Sequence, residues 1–128
     1  MILLIPLGGI GSRFQKEGYT LPKALIKVNN KEIICHLLDH LNVKTIDYIY
    51  IPYNKCYVEH NFESFLQAKY PNYKFRFLVM EKQTRGAAET IFKAINKLFT
   101  ENIRYPINII QMKQQFDKPI LLAMASVS

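Results

Sequence analysis

The chain has 128 residues, 49% of them apolar and 21% charged, which fits one folded domain and excludes a disordered chain. No apolar run reaches the roughly 20 residues that span a bilayer. Lys and Arg number 17 and Asp and Glu 10, so the net charge is +7, and the bases are scattered rather than clustered. That distribution argues against a nucleic-acid arm or a membrane-binding basic tract and suits a small anionic ligand.

The first residues, Met1 to Leu7, are apolar, yet no basic segment precedes them and Gly8, Gly9 and Gly11 interrupt them. They predict a buried central strand over Ile2–Leu7 rather than a secretory leader. Residues 8–22 mix glycine, serine and proline without periodicity and predict a long loop. Ile33, Ile34, Leu37, Leu38 and Leu41 recur at helical spacing, predicting a helix over Lys31–Asn42. A second strand is expected over Asp47–Ile51, ended by Pro52 and Asn54. Val58, Phe62, Phe65 and Leu66 predict a second helix, closed by Pro71. Phe75–Met80 reads as a third strand. Ala87–Phe99 reads as a third helix with Ile91, Ala94, Ile95 and Leu98 on one face. After an ill-defined stretch from Thr100 to Asp117, Lys118–Ala125 reads as a fourth strand. Strands and helices thus alternate three times, which implies a single domain over residues 1–128 with a mostly parallel sheet covered on both faces. Ligands of such sheets bind outside the carboxyl ends of the strands. Two cysteines, Cys35 and Cys56, are too few for a disulfide framework, so a reducing, cytoplasmic setting is expected.

The loop after the first strand reads Leu7-Gly8-Gly9-Ile10-Gly11-Ser12-Arg13-Phe14. Glycines there allow a tight turn and bring backbone N–H groups close to phosphate oxygens. A dinucleotide fingerprint fits poorly: its third glycine position holds Phe14, and no acidic residue ends the second strand. A P-loop is excluded, since no glycine precedes Lys-Ser or Lys-Thr. Further along the same loop stands Gly18-Tyr19-Thr20-Leu21-Pro22-Lys23-Ala24-Leu25. Arg13 offers a fork of donors to a polyphosphate, and Lys23, stiffened by Pro22, offers a compact charge.

Gly9-x-Gly11-Ser12-Arg13-Phe14 followed by Pro22-Lys23-x-Leu25 resembles the signature of the sugar-phosphate nucleotidyltransferases, especially those of capsule and surface-polysaccharide synthesis. The stretch Glu81–Thr90 resembles that family's second nucleotide-binding segment, and the likeness extends from Met1 to about Asn96. It implies a Rossmann-like three-layer α/β/α fold, here in its N-terminal portion. It also implies a reaction in which a nucleoside triphosphate and a sugar 1-phosphate give a nucleotide sugar and pyrophosphate. By that resemblance Arg13 holds the departing pyrophosphate and Lys23 bridges the phosphates at the reacting centre. The backbone of Leu7, Gly8, Gly9, Gly11 and Ser12 holds the nucleotide, Gln83 contacts the base or ribose, and Gly86 admits the nucleotide beside the third helix. The family also implies magnesium, held by an acidic residue at the end of the fourth strand. Here Ala123–Ser128 follows that strand without a carboxylate, and Asp117 lies at its other end, so no metal ligand is assigned. An enzyme and a non-catalytic nucleotide-binding or assembly module both remain open, as does an oligomer.

Other residues have simpler expectations. His36 and His40 have helical spacing but no third ligand, and read as a solvated face. Cys35 reads as a packed thiol. Cys56, beside Lys55, has the option of a mildly activated thiol without a base to support it. Tyr48, Tyr50, Phe75 and Phe77 read as core rather than as base-stacking platforms.

Overall fold

The computed structural model describes residues 2–9, 16, 18, 20–82, 86–102 and 120–122. Four strands form a parallel sheet: β1 (Ile2–Leu4), β4 (Tyr48–Asn54), β5 (Phe75–Met80) and β6 (Ile120–Leu122), in the order β5-β4-β1-β6. Two short strands, β2 (Lys27–Val28) and β3 (Lys31–Glu32), make a separate antiparallel hairpin. Helices α1 (Ile33–Leu38) and α2 (Phe62–Lys69) cover one face of the sheet, and α3 (Ala87–Asn102) covers the other.

Period-two alternation along the strands sorts the core into two layers. Leu3, Ile5, Leu7, Ile49, Ile51 and Tyr53 face α1 and α2 and pack with Ile34, Leu38, Phe62 and Leu66. Ile2, Leu4 and Tyr50 face α3 and pack with Ala94, flanked by Ile91 and Ile95. The helical face expected at Ile91, Ala94 and Ile95 is therefore the buried one. Tyr50 adds a hydrogen bond across this layer, its hydroxyl donating to the Ala94 carbonyl at 3.2 Å. Tyr50 is core, and Tyr48, Phe75 and Phe77 pack at its margins, as expected.

Several boundaries differ from the sequence reading, each for a local reason. Strand β1 ends at Leu4 rather than Leu7, yet its pairing continues: Ile5 N–H donates to Tyr50 O at 2.9 Å and Leu7 N–H to Pro52 O at 2.7 Å. The ladder skips the rung at which Pro52 has no N–H to give. Pro52 does not end β4; its carbonyl still accepts, and the strand runs on to Asn54.

The helix expected from Lys31 begins only at Ile33, because Lys31 and Glu32 belong to the hairpin. Asn29 and Asn30, with φ of 52° and 63°, supply the two left-handed residues of a tight hairpin turn. At its far end the helical ladder tightens, with His40 N–H bonded to Leu37 O and Leu41 N–H to Leu38 O.

The helix expected from Val58 is split. Lys55–His60 forms 3-10 turns, Asn61 adopts φ 52°, and the α-helix proper starts at Phe62. Val58 is consequently 52% exposed instead of buried. The parallel strand expected over Lys118–Ala125 is seen at Ile120–Leu122, paired with β1 from Ile2↔Ile120 to Leu4↔Leu122. The stretch 103–119, with Asp117, the side chain of Leu98 and residues 123–128 lie outside the described residues.

Helix α1 is tied to its surroundings by polar groups. Lys31 donates to Asp39 Oδ2 at 2.6 Å and Tyr70 to Asp39 Oδ1 at 2.6 Å. Donation from Lys31, and then from Tyr70, holds the Asp39 carboxyl below its ordinary value. A depressed folded-state value means that the ionised form stabilises the fold above the unfolded value of about 3.9, and that this contribution fades as pH falls through the folded one. Asp39→Asn should therefore lose less than about 1 kcal/mol at pH 7, the pair being partly solvated, and less again at pH 2. Urea unfolding of both forms at the two pH values checks this; a gap that does not shrink at pH 2 contradicts it.

The two histidines are engaged locally. His36 Nε2–H donates to Val28 O, and His40 Nδ1–H to His36 O, each at 2.6 Å. Cys35 is fully buried, and burial pushes its thiol up. Burial, then the nearby Glu59, also pushes the Cys56 thiol up, which overturns the option of activation by Lys55. No helix among the described residues is long and apolar enough to cross a membrane.

Candidate nucleotide-phosphate site

The site begins where β1 leaves the sheet. Leu7 and Gly8 are buried and Gly9 is exposed, so the chain emerges from the core within these three residues. The end of β4 fixes their position. Asn54 N–H donates to Leu7 O at 2.9 Å, and Asn54 Nδ2 donates to Gly8 O at 3.3 Å. Asn54 Oδ1 accepts from Cys56 N–H at 2.9 Å, which turns the chain sharply after the strand. Asn54 is only 4% exposed, so its amide is a buried polar group with partners on both sides.

The second half of the motif is held from the same place. Pro22 to Ile26 closes a 3-10 turn, with Leu25 N–H bonded to Pro22 O at 2.9 Å and Ile26 N–H to Lys23 O at 3.2 Å. Ala24 and Leu25 are buried and Lys23 is half-buried, so the turn's apolar side faces the core. Ala24 N–H donates to the hydroxyl of Tyr57 at 3.3 Å. Tyr57 is itself 2% exposed, with its ring against Phe62 at 4.9 Å and Tyr53 at 6.1 Å. Burial pushes its phenol far up, so it stays neutral. Tyr53 is pinned as well, donating to the Glu63 carboxylate on α2.

The sequence reading took Asn54 only as a strand terminator and assigned no role to Tyr57. An Asn two residues before Cys56 at a strand end is a legible turn signal. The Tyr57–Ala24 contact spans 33 residues and left no local trace. Of the residues expected at the site, Leu7, Gly8, Gly9 and Lys23 are brought to the carboxyl edge of β1 and β4. Gly86 lies in the connection from β5 to α3, which leaves the same edge, and its carbonyl accepts from the Thr90 N–H and hydroxyl at 3.2 and 3.1 Å. A methyl group added at Gly9 or Gly86 would meet no described atom within 4 Å. Gly11, Ser12, Arg13 and Gln83 lie outside the described residues. A separate hollow of about 310 Å³, lined by Lys44, Asp47, Tyr48, Asn72 and Lys74 among others, opens at the amino ends of β4 and β5.

The described side chains do not fit a magnesium ion. No three of His, Cys, Asp and Glu gather among them. Asp39 is committed to Lys31 and Tyr70, Glu63 to Tyr53, and Glu89 to Lys93 at 3.1 Å. A hard cation that needs several oxygen ligands finds no such set here.

A parallel sheet with helices on both faces, whose central strand runs into a glycine loop, defines a Rossmann-like α/β fold. The same fold is found in the nucleoside-diphosphate-sugar pyrophosphorylase from Vibrio cholerae RC9, with a TM-score of 0.59 and 24% sequence identity over 82% of this chain. The chain spans 43% of the length of that protein. No family model matches the sequence, and no curated protein does.

Proposed function

We propose that the chain binds the triphosphate of a nucleoside triphosphate at the edge formed by Leu7–Gly9 and the Lys23 turn. The reaction it serves is nucleotidyl transfer to a sugar 1-phosphate. The observation that carries this reading is that Gly8, which leads into the first motif half, and Ala24, in the second, are both bonded to the short segment from Asn54 to Tyr57. In the transfer, a sugar-phosphate oxygen forms a bond to the α-phosphorus as the bond to the β-phosphate oxygen breaks, and pyrophosphate leaves. Such a step needs alignment and charge neutralisation more than covalent help. Lys23 supplies a point charge beside the reacting phosphates, and Arg13 supplies two-pronged donation to the departing pyrophosphate. Backbone N–H groups of Gly8, Gly9, Gly11 and Ser12 serve the remaining oxygens, while the Leu7 N–H stays bonded to Pro52 O and only anchors the start of the loop. Gln83 addresses the base or ribose, and the space beside Gly86 admits it. Magnesium is expected by family resemblance and has no ligands assigned in this chain. Both substrates are metabolites of the cytoplasm, where we place the protein.

A second reading, a nucleotide-binding module without turnover, is favoured by Ala123–Ser128, which offers no carboxylate after the fourth strand. Pyrophosphate release separates the two. The chain is mixed with magnesium, each of four nucleoside triphosphates and a panel of sugar 1-phosphates. Release that requires both substrates and disappears in Lys23→Ala supports transfer. Triphosphate binding with no release in any combination supports the module.

A further inference from the structure

The segment formed by the last residue of β4, Asn54, and the three that follow it, to Tyr57, touches both arms of the proposed phosphate loop. One arm, at Gly8, is held by the Asn54 amide at 3.3 Å; the other, at Ala24 beside Lys23, is held by the Tyr57 hydroxyl at 3.3 Å. Each contact is made by a side chain at most 4% exposed, so neither competes with bulk water. The segment between them is short and stiff. Asn54 Oδ1 is bonded to Cys56 N–H, and Lys55 to His60 are in 3-10 turns. Tyr57 is wedged between Tyr53 and Phe62, so its hydroxyl cannot swing away from Ala24 without disturbing the core.

We propose that Asn54 and Tyr57 are positioning residues that form one brace, setting the separation of the glycine arm from the Lys23 arm so that both grip a single polyphosphate. The inference rests on the functional reading above and deepens it. Neither residue need touch the ligand. Each fixes backbone from which a phosphate-contacting group projects, and preorganisation of this kind raises affinity by removing the ordering cost of binding.

Inorganic triphosphate is the suitable probe, because it carries the gripped charge without a base or sugar. Tyr57→Phe removes only the hydroxyl and keeps the ring. Asn54→Ser keeps an oxygen able to accept from Cys56 N–H and removes the amide that reaches Gly8. Each should lower triphosphate affinity about fivefold, the effect of one buried hydrogen bond, at temperatures where thermal melting shows the variant folded. The decisive arm is the double variant. If Tyr57 acts through the Lys23 arm, Tyr57→Phe should have no further effect in a Lys23→Ala background, whereas a general loosening of the fold would add to it. Amide exchange gives a second readout: Tyr57→Phe should speed exchange at Ala24. Full affinity in both single variants, with Lys23→Ala weakened, overturns the brace and leaves the functional reading intact. Additivity in the double variant also overturns it. Failure of the unsubstituted chain to bind triphosphate overturns both.

Discussion

Replacing Lys23 by alanine is expected to weaken binding of a nucleoside triphosphate by 10-fold to 100-fold or so. An ammonium paired with phosphate oxygen contributes about 1.5–3 kcal/mol when both are shielded from water, and each 1.4 kcal/mol is tenfold. Lys23 is half-buried in a turn whose backbone is anchored at Ala24 and Ile26, so the charge is presented from a fixed base. Arg13→Ala should act in the same direction. Lys23→Arg keeps the charge but replaces a compact head with a planar fork, and should recover only part of the loss. Because the chain carries +7 overall, any lost positive charge could weaken anion binding through the general field. Lys27→Ala, an exposed position on the hairpin, controls for that. Calorimetric titration of the four variants decides the matter, and equal losses at Lys23 and Lys27 would sink the specific site.

The second large effect concerns stability. Phe62 is fully buried at the start of α2, with its ring 4.9 Å from Tyr57, 5.1 Å from Tyr53 and 6.2 Å from Phe77. Those rings come from β4, β5 and the 3-10 segment between β4 and α2, so one side chain joins three elements. Phe62→Ala should cost about 3–5 kcal/mol, the transfer and cavity terms acting together. Phe62→Leu refills much of the volume and should cost markedly less. Denaturant unfolding measures both. A loss below about 1 kcal/mol for the alanine variant would show that the cluster collapses around the gap. The alanine variant should also weaken triphosphate binding, since Tyr57 rests on this ring.

What the sequence disclosed and what it hid divide along physical lines. Burial imposes a period, so Ile91, Ala94 and Ile95 of α3 and the run Phe75–Met80 of β5 were legible. The glycine arm and Lys23 drew notice because phosphate chemistry restricts which residue types serve it, and their phosphate role is part of the proposal. Pro52 misled, because a proline costs one rung and not the whole strand when the other bonds survive. Asn29-Asn30 and Asn61 were overlooked, although a left-handed asparagine is a recognisable turn or break. Tyr57 could not have been found from local pattern at all. Its partner, Ala24, is chosen by the way β4 and the loop meet in space.

The pairing of β1 has a consequence for how the molecule comes into being. Ile2 lies against Tyr48 on one side and Ile120 on the other, so β1 precedes both of its neighbours in the chain and gains them at very different times. Every hydrogen bond described between residues 7–26 and their supports joins residues 7 to 57. The proposed phosphate-binding edge is thus held by contacts that all precede β6 in the chain, and β6 pairs beside a loop whose supports are encoded upstream of it.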